Sequence, residues 1–349
     1  MRKYDYSFLK NELIPSQTTN LLNSFEAKYG KFKLLLHKYP NIFEQLTKIA
    51  IIQSVKSSNA IEGIVTSDQR IKQLLEKRVA PKNHDEKEIL GYKDALNRIH
   101  MQHEELQLNN NEILILHEIL LSYLNVEYGG NYKRKENAII EIDHSGMRKI
   151  RFKPVSVKET PGAMEQAYLA YLEASNDSNI NQLLLIPCYI LDFLCIHPFS
   201  DGNGRISRLL TTLLLYKTGY DFVKFISFEN QINLYKLEYY EALKYSSLQW
   251  QENLNNYFYF VDDFLITLIR TLNEIENRFN IMAEKTLTKE ERIKETILSS
   301  LMPLSKQELF ILWPDISIST LDKVLIKLQK EGSIKKIGQF RNAKYIRNK

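Results

Sequence analysis

Between two helix-patterned stretches, Gln182 to Cys195 and Arg205 to about Lys217, the chain reads His197-Pro198-Phe199-Ser200-Asp201-Gly202-Asn203-Gly204. Pro198 cannot continue the preceding helix, because it lacks an N–H and its ring clashes with the turn behind it. Gly202 and Gly204 admit backbone conformations closed to other residues, and they let a ligand approach the main chain. Any fold that accepts this segment must set two helices around one tight bend. The second helix opens at about Asn203 to Arg205, where unpaired N–H groups and the helix dipole favour an anion. Successive loop amides can add an anion nest. Arg205 and Arg208 share a helix face and suit multivalent phosphate contact. Asp201 is a hard oxygen ligand beside that phosphate site, where Mg2+ would bridge. His197 heads the loop, and a neutral imidazole there can take a proton from an attacking hydroxyl. The chain shows neither the Gly-X4-Gly-Lys-Ser/Thr pattern nor the kinase signature set.

The rest of the chain reads as mainly α. Asn41 to Glu62 places Ile42, Phe43, Leu46, Ile49, Ile52 and Val55 at helical spacing, with Gly63 as a stop. Further helices are expected over Asp85 to Gln107, Asn111 to Leu124, Thr160 to Ala174, Tyr235 to Leu248 and Leu254 to Lys285. Ala138 to Ile142 and Lys149 to Phe152 are β-prone runs around the turn residues Asp143-His144-Ser145-Gly146, a hairpin pattern. The last sixty or so residues read as a module of their own. Lys289 to Ser300, Ser305 to Leu312 and Ser319 to Lys330 are helix-patterned, with a capping box from Ser305 to Glu308. Ile334 to Ile337 and Lys344 to Ile346 flank Gly338-Gln339-Phe340-Arg341-Asn342. Three helices and a basic hairpin make a winged helix-turn-helix pattern. The expected domains are 1–95, 96–285 with the hairpin near 138–152, and 286–349.

Composition excludes several classes. The most apolar window, Leu183 to Phe199, is interrupted by Pro187, Asp192 and His197 and is too short to span a bilayer. No apolar signal core follows the charged start, so export is not indicated. Cys188 and Cys195 on one helix lie too far apart for a disulfide, and two reduced thiols in a cytoplasmic protein is the expectation. Net charge is +5, and Asp322 to Lys349 alone carries nine Lys/Arg against two Asp/Glu. The basic signal therefore sits at the C-terminal end, and any nucleic-acid argument is confined there.

The segment from His197 to Arg208 resembles the signature loop of the Fic family at every defining position. The resemblance implies a helical Fic fold with a β-hairpin flap. It implies transfer of AMP from ATP to a Ser, Thr or Tyr hydroxyl of a protein, with pyrophosphate leaving. On that resemblance His197 is the base and Asp201 holds Mg2+. Gly202, Asn203, Gly204, Arg205, Ile206, Ser207 and Arg208 form the ATP site, with Arg208 on the γ-phosphate. The hairpin would hold an extended target segment by β-augmentation. Ser58-Asn59-Ala60-Ile61-Glu62-Gly63 is similar to the family's inhibitory motif. Ser58 and Glu62 share a helix face, and Glu62 would pair with Arg208 in place of the γ-phosphate. A carboxylate there can also serve removal of AMP, and the sequence does not separate the two roles. Tyr239-Tyr240 resembles a family pair in which Tyr240 would line the adenine pocket, although both rings also suit core packing.

Other readings stay open. The C-terminal module could contact DNA or a protein, alone or beside catalysis, with the Fic core then regulatory or vestigial. The transferred group could be UMP or phosphocholine. A homodimer is compatible. His100, His103 and Glu104 read as a solvated helix face rather than a metal cluster. His37, His84, His117 and His144 show no partner in the pattern.

Overall fold

The computed structural model describes residues 2–38, 40–76, 78–142, 147–283, 288–300, 302–313, 316–338 and 343–348. Helices dominate them. In chain order these are α1 (Phe8–Asn11), α2 (Ser16–Lys38), α3 (Pro40–Ile61), α4 (Asp68–Leu75), α5 (His84–Gln102), α6 (Asn110–Leu121), α7 (Thr160–Ser175) and α8 (Gln182–Ile196). They continue as α9 (Asn203–Lys217), α10 (Phe228–Leu234), α11 (Lys236–Ser246), α12 (Phe258–Ala283), α13 (Lys289–Ser299), α14 (Lys306–Leu312) and α15 (Ile318–Lys330). Strands β1 (Ile139–Ile142) and β2 (Arg148–Phe152) form an antiparallel hairpin, and β3 (Leu304–Ser305), β4 (Ile334–Ile337) and β5 (Lys344–Arg347) form a sheet ordered β3-β5-β4. The expected turn Asp143 to Gly146 and the tip Gln339 to Asn342 lie outside the described residues.

Most expected elements stand within a few residues of their predicted bounds. The expected helix from Tyr235 to Leu248 is α11, and Tyr235, with a non-helical backbone, separates it from α10. The expected start of α12 at Leu254 moves to Phe258. Asn253 sits at φ 59°, and the Asn256 carboxamide accepts from the Phe258 N–H, which delays the first turn. Helices α1, α2, α4 and α10 were not expected from the sequence.

The chain divides into two compact units, residues 1–27 with 50–271, and residues 28–49 with 272–349. In the first, α8 is buried on nearly every face, as a helix apolar all round must be. It packs against α7 and α9, while α5 packs against α6 and α9. The bend between α8 and α9 therefore rests on a rigid base. In the second unit, Ile293, Ile297, Leu309, Trp313, Leu325 and Leu328 join Ile334 and Tyr345 in one core around α13, α14, α15 and the sheet. Thr288 and Ser305 each start a helix through a capping box.

One polar cluster lies inside the first unit. Asp192, on α8, is fully buried. It accepts from Trp250 Nε1 at 2.6 Å, Tyr6 Oη at 2.8 Å and Tyr257 Oη at 2.9 Å, and it pairs with the Arg2 guanidinium at 3.2 Å. Arg2 also lies over the Trp250 ring, 4.2 Å from its centroid. Burial pushes the Asp192 carboxyl up, and Arg2 and the three donors oppose that push. Removing one partner of such a pair strands a charge away from water. Asp192→Ala is expected to lower stability by about 3–5 kcal/mol. Urea unfolding followed by Trp250 fluorescence in a Trp313→Phe background checks this, and a loss under about 1 kcal/mol, the value of an exposed pair, would contradict it.

Candidate functional site

Helix α8 ends at Ile196, and His197 caps it in the left-handed conformation (φ 51°, ψ 61°), its N–H donating to the Phe193 carbonyl. Helix α9 begins at Asn203 after Gly202, also left-handed at φ 81°. The Asn203 side chain closes the bend: it accepts from the Phe199 N–H at 2.9 Å and donates to the Phe199 carbonyl at 2.8 Å. The Asp201 carboxylate accepts from the Gly202 N–H at 2.7 Å.

His197 sits part-buried at the mouth of the bend. Its Nδ1 lies 3.2 Å from the Leu194 carbonyl, which can only accept, so Nδ1 carries the proton and Nε2 keeps a lone pair. Burial holds the imidazole down to about 4, with Lys133 adding to that shift against the Leu194 hydrogen bond and the nearby carboxylates. The ring is therefore neutral at pH 7.

The two arginines of α9 have different partners. Arg205 is 1% exposed and is held by Glu88 of α5 at 2.9 Å and Asp201 at 3.2 Å. Arg208 is 2% exposed and turns to α3 and the turn after it. Its Nε donates to Ser58 Oγ at 2.8 Å, and its Nη2 to the Ser58 carbonyl at 2.9 Å and to Glu62 Oε1 at 2.8 Å. Glu62 lies directly over Gly204 in the first turn of α9. A Cβ at Gly204 would meet Glu62 Oε1 at 2.2 Å, so only glycine admits the carboxylate here. Burial would push Glu62 up, but Arg208, Arg205 and Lys236 outweigh it and hold the carboxyl below its ordinary range.

More bonds fasten the end of α3. Ser54 donates to buried Glu229 at 2.8 Å, Ser57 to Asn230 at 3.2 Å, and Lys236 to the Ile61 carbonyl. Glu229 also accepts from Ser227 at 2.8 Å and Tyr92 at 3.1 Å. Hydroxyls thus meet both Glu229 oxygens, Ser54 and Ser227 at Oε2 and Tyr92 at Oε1.

A cavity of ≈ 150 Å³ opens over the bend. His197, Gly204, Arg208, Glu62 and Tyr240 line it, so these predicted residues meet in one place. Arg151 and Phe152 of β2 and Ile139 of β1 form part of its wall. Arg151 is a cationic lining residue that the sequence reading passed over as part of a strand. The other predicted residues lie around this wall. Ser58 reaches Arg208 from outside the cavity lining. Asp201 is half exposed, Gly202 packs near Leu120 and His117, and Asn203 is turned onto Phe199. Ile206 is fully buried, and Ser207 donates to the Gly204 carbonyl at 2.7 Å.

Histidines read one by one from the sequence find their places here. His100 bonds the Tyr216 hydroxyl at 2.6 Å and His103 stacks on the same ring, so the pair is packing rather than a solvated face. His117, to which the pattern gave no partner, is fully buried beneath the bend. Its Nε2 lies 3.1 Å from the Asp201 carbonyl, its Nδ1 accepts from the Gly130 N–H, and its ring stacks on Phe199 at 3.7 Å. Among the described residues, His84, Asp85 and Glu88 lie close enough to hold a metal, but Glu88 is already committed to Arg205.

Comparison with known proteins places this site. Residues 107–215 match the sequence profile of the Fic/DOC family. The chain is similar to "Protein adenylyltransferase Fic" of Drosophila persimilis, 27% identical over 216 residues that make up 60% of this chain and 40% of that protein. The protein of the same name in Drosophila willistoni is 29% identical over 206 residues, 57% of this chain and 38% of that one. The chain thus spans about 40% of the length of the first of these curated relatives. A crystal structure of a Fic family protein from Desulfovibrio desulfuricans shares the fold with a TM-score of 0.64 at 18% identity, over 96% of this chain and 97% of that one. Fic-1 from C. elegans aligns with a TM-score of 0.57 at 18% identity, over 75% of this chain and 73% of that one. The bend between α8 and α9 falls inside the segment that matches the Fic/DOC family.

Proposed function

We propose that this chain transfers AMP from ATP to a Ser, Thr or Tyr hydroxyl of a target protein or of itself, and that Glu62 restrains the transfer. One observation carries the reading: the Glu62 carboxylate sits on Arg208 against Gly204, at a helix N-terminus built for anions. The curated relatives that match the chain bear the name of protein adenylyltransferases. In this reading residues 1–95 carry the restraint, 96–285 the catalytic core and 286–349 an accessory module.

The chemistry follows from the charges. The target hydroxyl attacks the α-phosphorus, an O–P bond forms, and the bond to the departing pyrophosphate breaks. His197 Nε2 takes the hydroxyl proton, which its neutral state at pH 7 permits. Amides at the start of α9 and the Arg208 guanidinium would hold phosphate oxygens as charge shifts toward the leaving group. Tyr240 in the cavity wall suits the base of the nucleotide. Asp201 keeps half of its side chain exposed beside the bend, and its oxygens fit the preference of Mg2+. That ion, when bound with ATP, neutralises phosphate charge. Glu62 competes for Arg208 and occupies the place a terminal phosphate needs. Because Glu62 stays charged, it can also orient a water for removal of AMP.

The hairpin supports the same reading. Ile140 and Ile150 face each other across β1 and β2, and both are exposed, 54% and 69%. An extended target strand would add to such an edge, with its hydroxyl residue presented to His197.

Glu62→Gly is expected to raise labelling of the chain or of lysate proteins from radiolabelled ATP by roughly 10- to 100-fold, the effect of removing a partly shielded ion pair. Unchanged labelling would count against restraint by Glu62, and labelling only from UTP or a choline donor would reassign the group. His197→Ala in that background is expected to abolish transfer while ATP still binds. The pH profile carries a sign. His197 titrates at about 4 in the fold, so the basic form is lost only as pH falls through that value. Transfer should stay level from about pH 6 to 8, and a limb centred near the ordinary histidine value would remove His197 as the base.

The C-terminal elements support a second, compatible reading. The order of α13 to α15 and the β3-β5-β4 sheet supports the winged-helix reading, and Lys335 and Lys336 stand exposed on β4. Such a module would contact duplex DNA through phosphates. A mobility shift by the full chain that weakens steeply with salt is expected. No shift at low salt would leave this module a protein-docking or purely structural element.

A further inference from the structure

The N–H groups of the bend can face an anion only if its carbonyls face elsewhere. Among the described residues, five carbonyls of the bend are taken up by donors from 117–137. The Lys133 N–H donates to the Pro198 carbonyl at 2.8 Å, and its ammonium to the Ile196 carbonyl at 3.2 Å. The Asn137 carboxamide donates to Phe199 at 3.2 Å and, more weakly, to His197 at 3.4 Å. His117 reaches Asp201 at 3.1 Å. The donors also hold one another, since Lys133 Nζ bonds Asn137 Oδ1 at 2.9 Å.

We propose that Lys133, Asn137 and His117 are positioning residues, a brace that draws these carbonyls away from the ligand side and so keeps the amides of the bend and the left-handed His197 cap aimed at phosphate. The tautomers agree with this. Gly130 N–H donates to His117 Nδ1, so His117 Nε2 must carry the proton that Asp201 accepts. Lys133 is 2% exposed, and a buried amine is costly unless its donors are used. Gly202 adds a steric observation. A Cβ there would come within 3.0 Å of Leu120, so the brace also requires the backbone to sit flush against α6. The same residues run from the turn at Gly130 straight into β1, which ties the base of the hairpin to the bend.

This inference builds on the transfer reading, but its first test does not need transfer. In the full chain carrying Glu62→Gly, pyrophosphate binding is measured by calorimetry. Asn137→Ala and Asn137→Asp are each expected to weaken it about tenfold while the melting temperature stays near that of the parent, because Asn137 is part-exposed. Asp keeps the shape of Asn and removes both hydrogens but adds a negative charge, so its loss counts only together with that of the uncharged Asn137→Ala. Lys133→Met should lose a comparable factor, and Lys133→Arg should recover most of it. Affinities within twofold of the parent for both Asn137 variants would overturn the proposal, as would a parent that binds no pyrophosphate. A parent that binds pyrophosphate but labels nothing from any nucleotide would instead sink the transfer reading and leave the brace to be judged on the affinities.

Discussion

The first turn of α9 leaves backbone N–H groups without partners, as every helix start does, and the geometry around it turns on which oxygen may come to them. Gly204 decides that. With no side chain, it lets a carboxylate oxygen stand where a Cβ would lie only 2.2 Å away. The oxygen that stands there belongs to Glu62, and its partner is Arg208. A phosphate oxygen has the same charge sign and the same appetite for N–H donors. Occupancy of one place by two like anions is the simplest form of competition, and it needs no movement of α9.

Charge around the bend makes that competition consequential. Arg205 is neutralised twice, by Glu88 and Asp201, and is buried with them. Of the two arginines of α9, Arg208 is therefore the one left to attract an anion, and Glu62 in turn satisfies it. With Glu62 in place, three carboxylates face two guanidinium groups, and the bend carries no surplus positive charge. Releasing Glu62 alone restores balance and frees a planar donor suited to phosphate. Bonds from Ser54 and Ser57 to α10 fasten the end of α3 that leads to Glu62.

Much of this was legible in the sequence because it is local. Pro198, Gly202, Gly204 and the Arg205–Arg208 spacing announce a bend, a helix start and a cationic face within twelve residues. The helices with regular apolar spacing were found for the same reason. The Glu62–Arg208 pair is 146 residues apart in sequence and was reached only through resemblance to the Fic family. What stayed hidden is polar and long-range. Glu88, His117, Lys133 and Asn137 have no periodic signature, and the last three bond chiefly to backbone carbonyls, which every residue possesses. Helix α2 buries Phe25, Tyr29 and Phe32 at helical spacing, a pattern the sequence holds but that was not read from it. The Arg2–Asp192 pair joins positions 190 residues apart in sequence.

Lys133 shows why such residues persist against their cost. Burial lowers its ammonium to about 8 from an ordinary value of 10.5. A base whose folded value lies below its unfolded one makes the folded chain bind fewer protons, so stability rises as pH climbs from about 8 toward 10.5. At neutral pH the charged amine is therefore a net burden on the fold. An apolar residue would lift that burden and would leave the Ile196 carbonyl and Asn137 Oδ1 without their shared donor. Those oxygens lie directly behind His197, so the instability accepted at Lys133 is the physical counterpart of order in the bend.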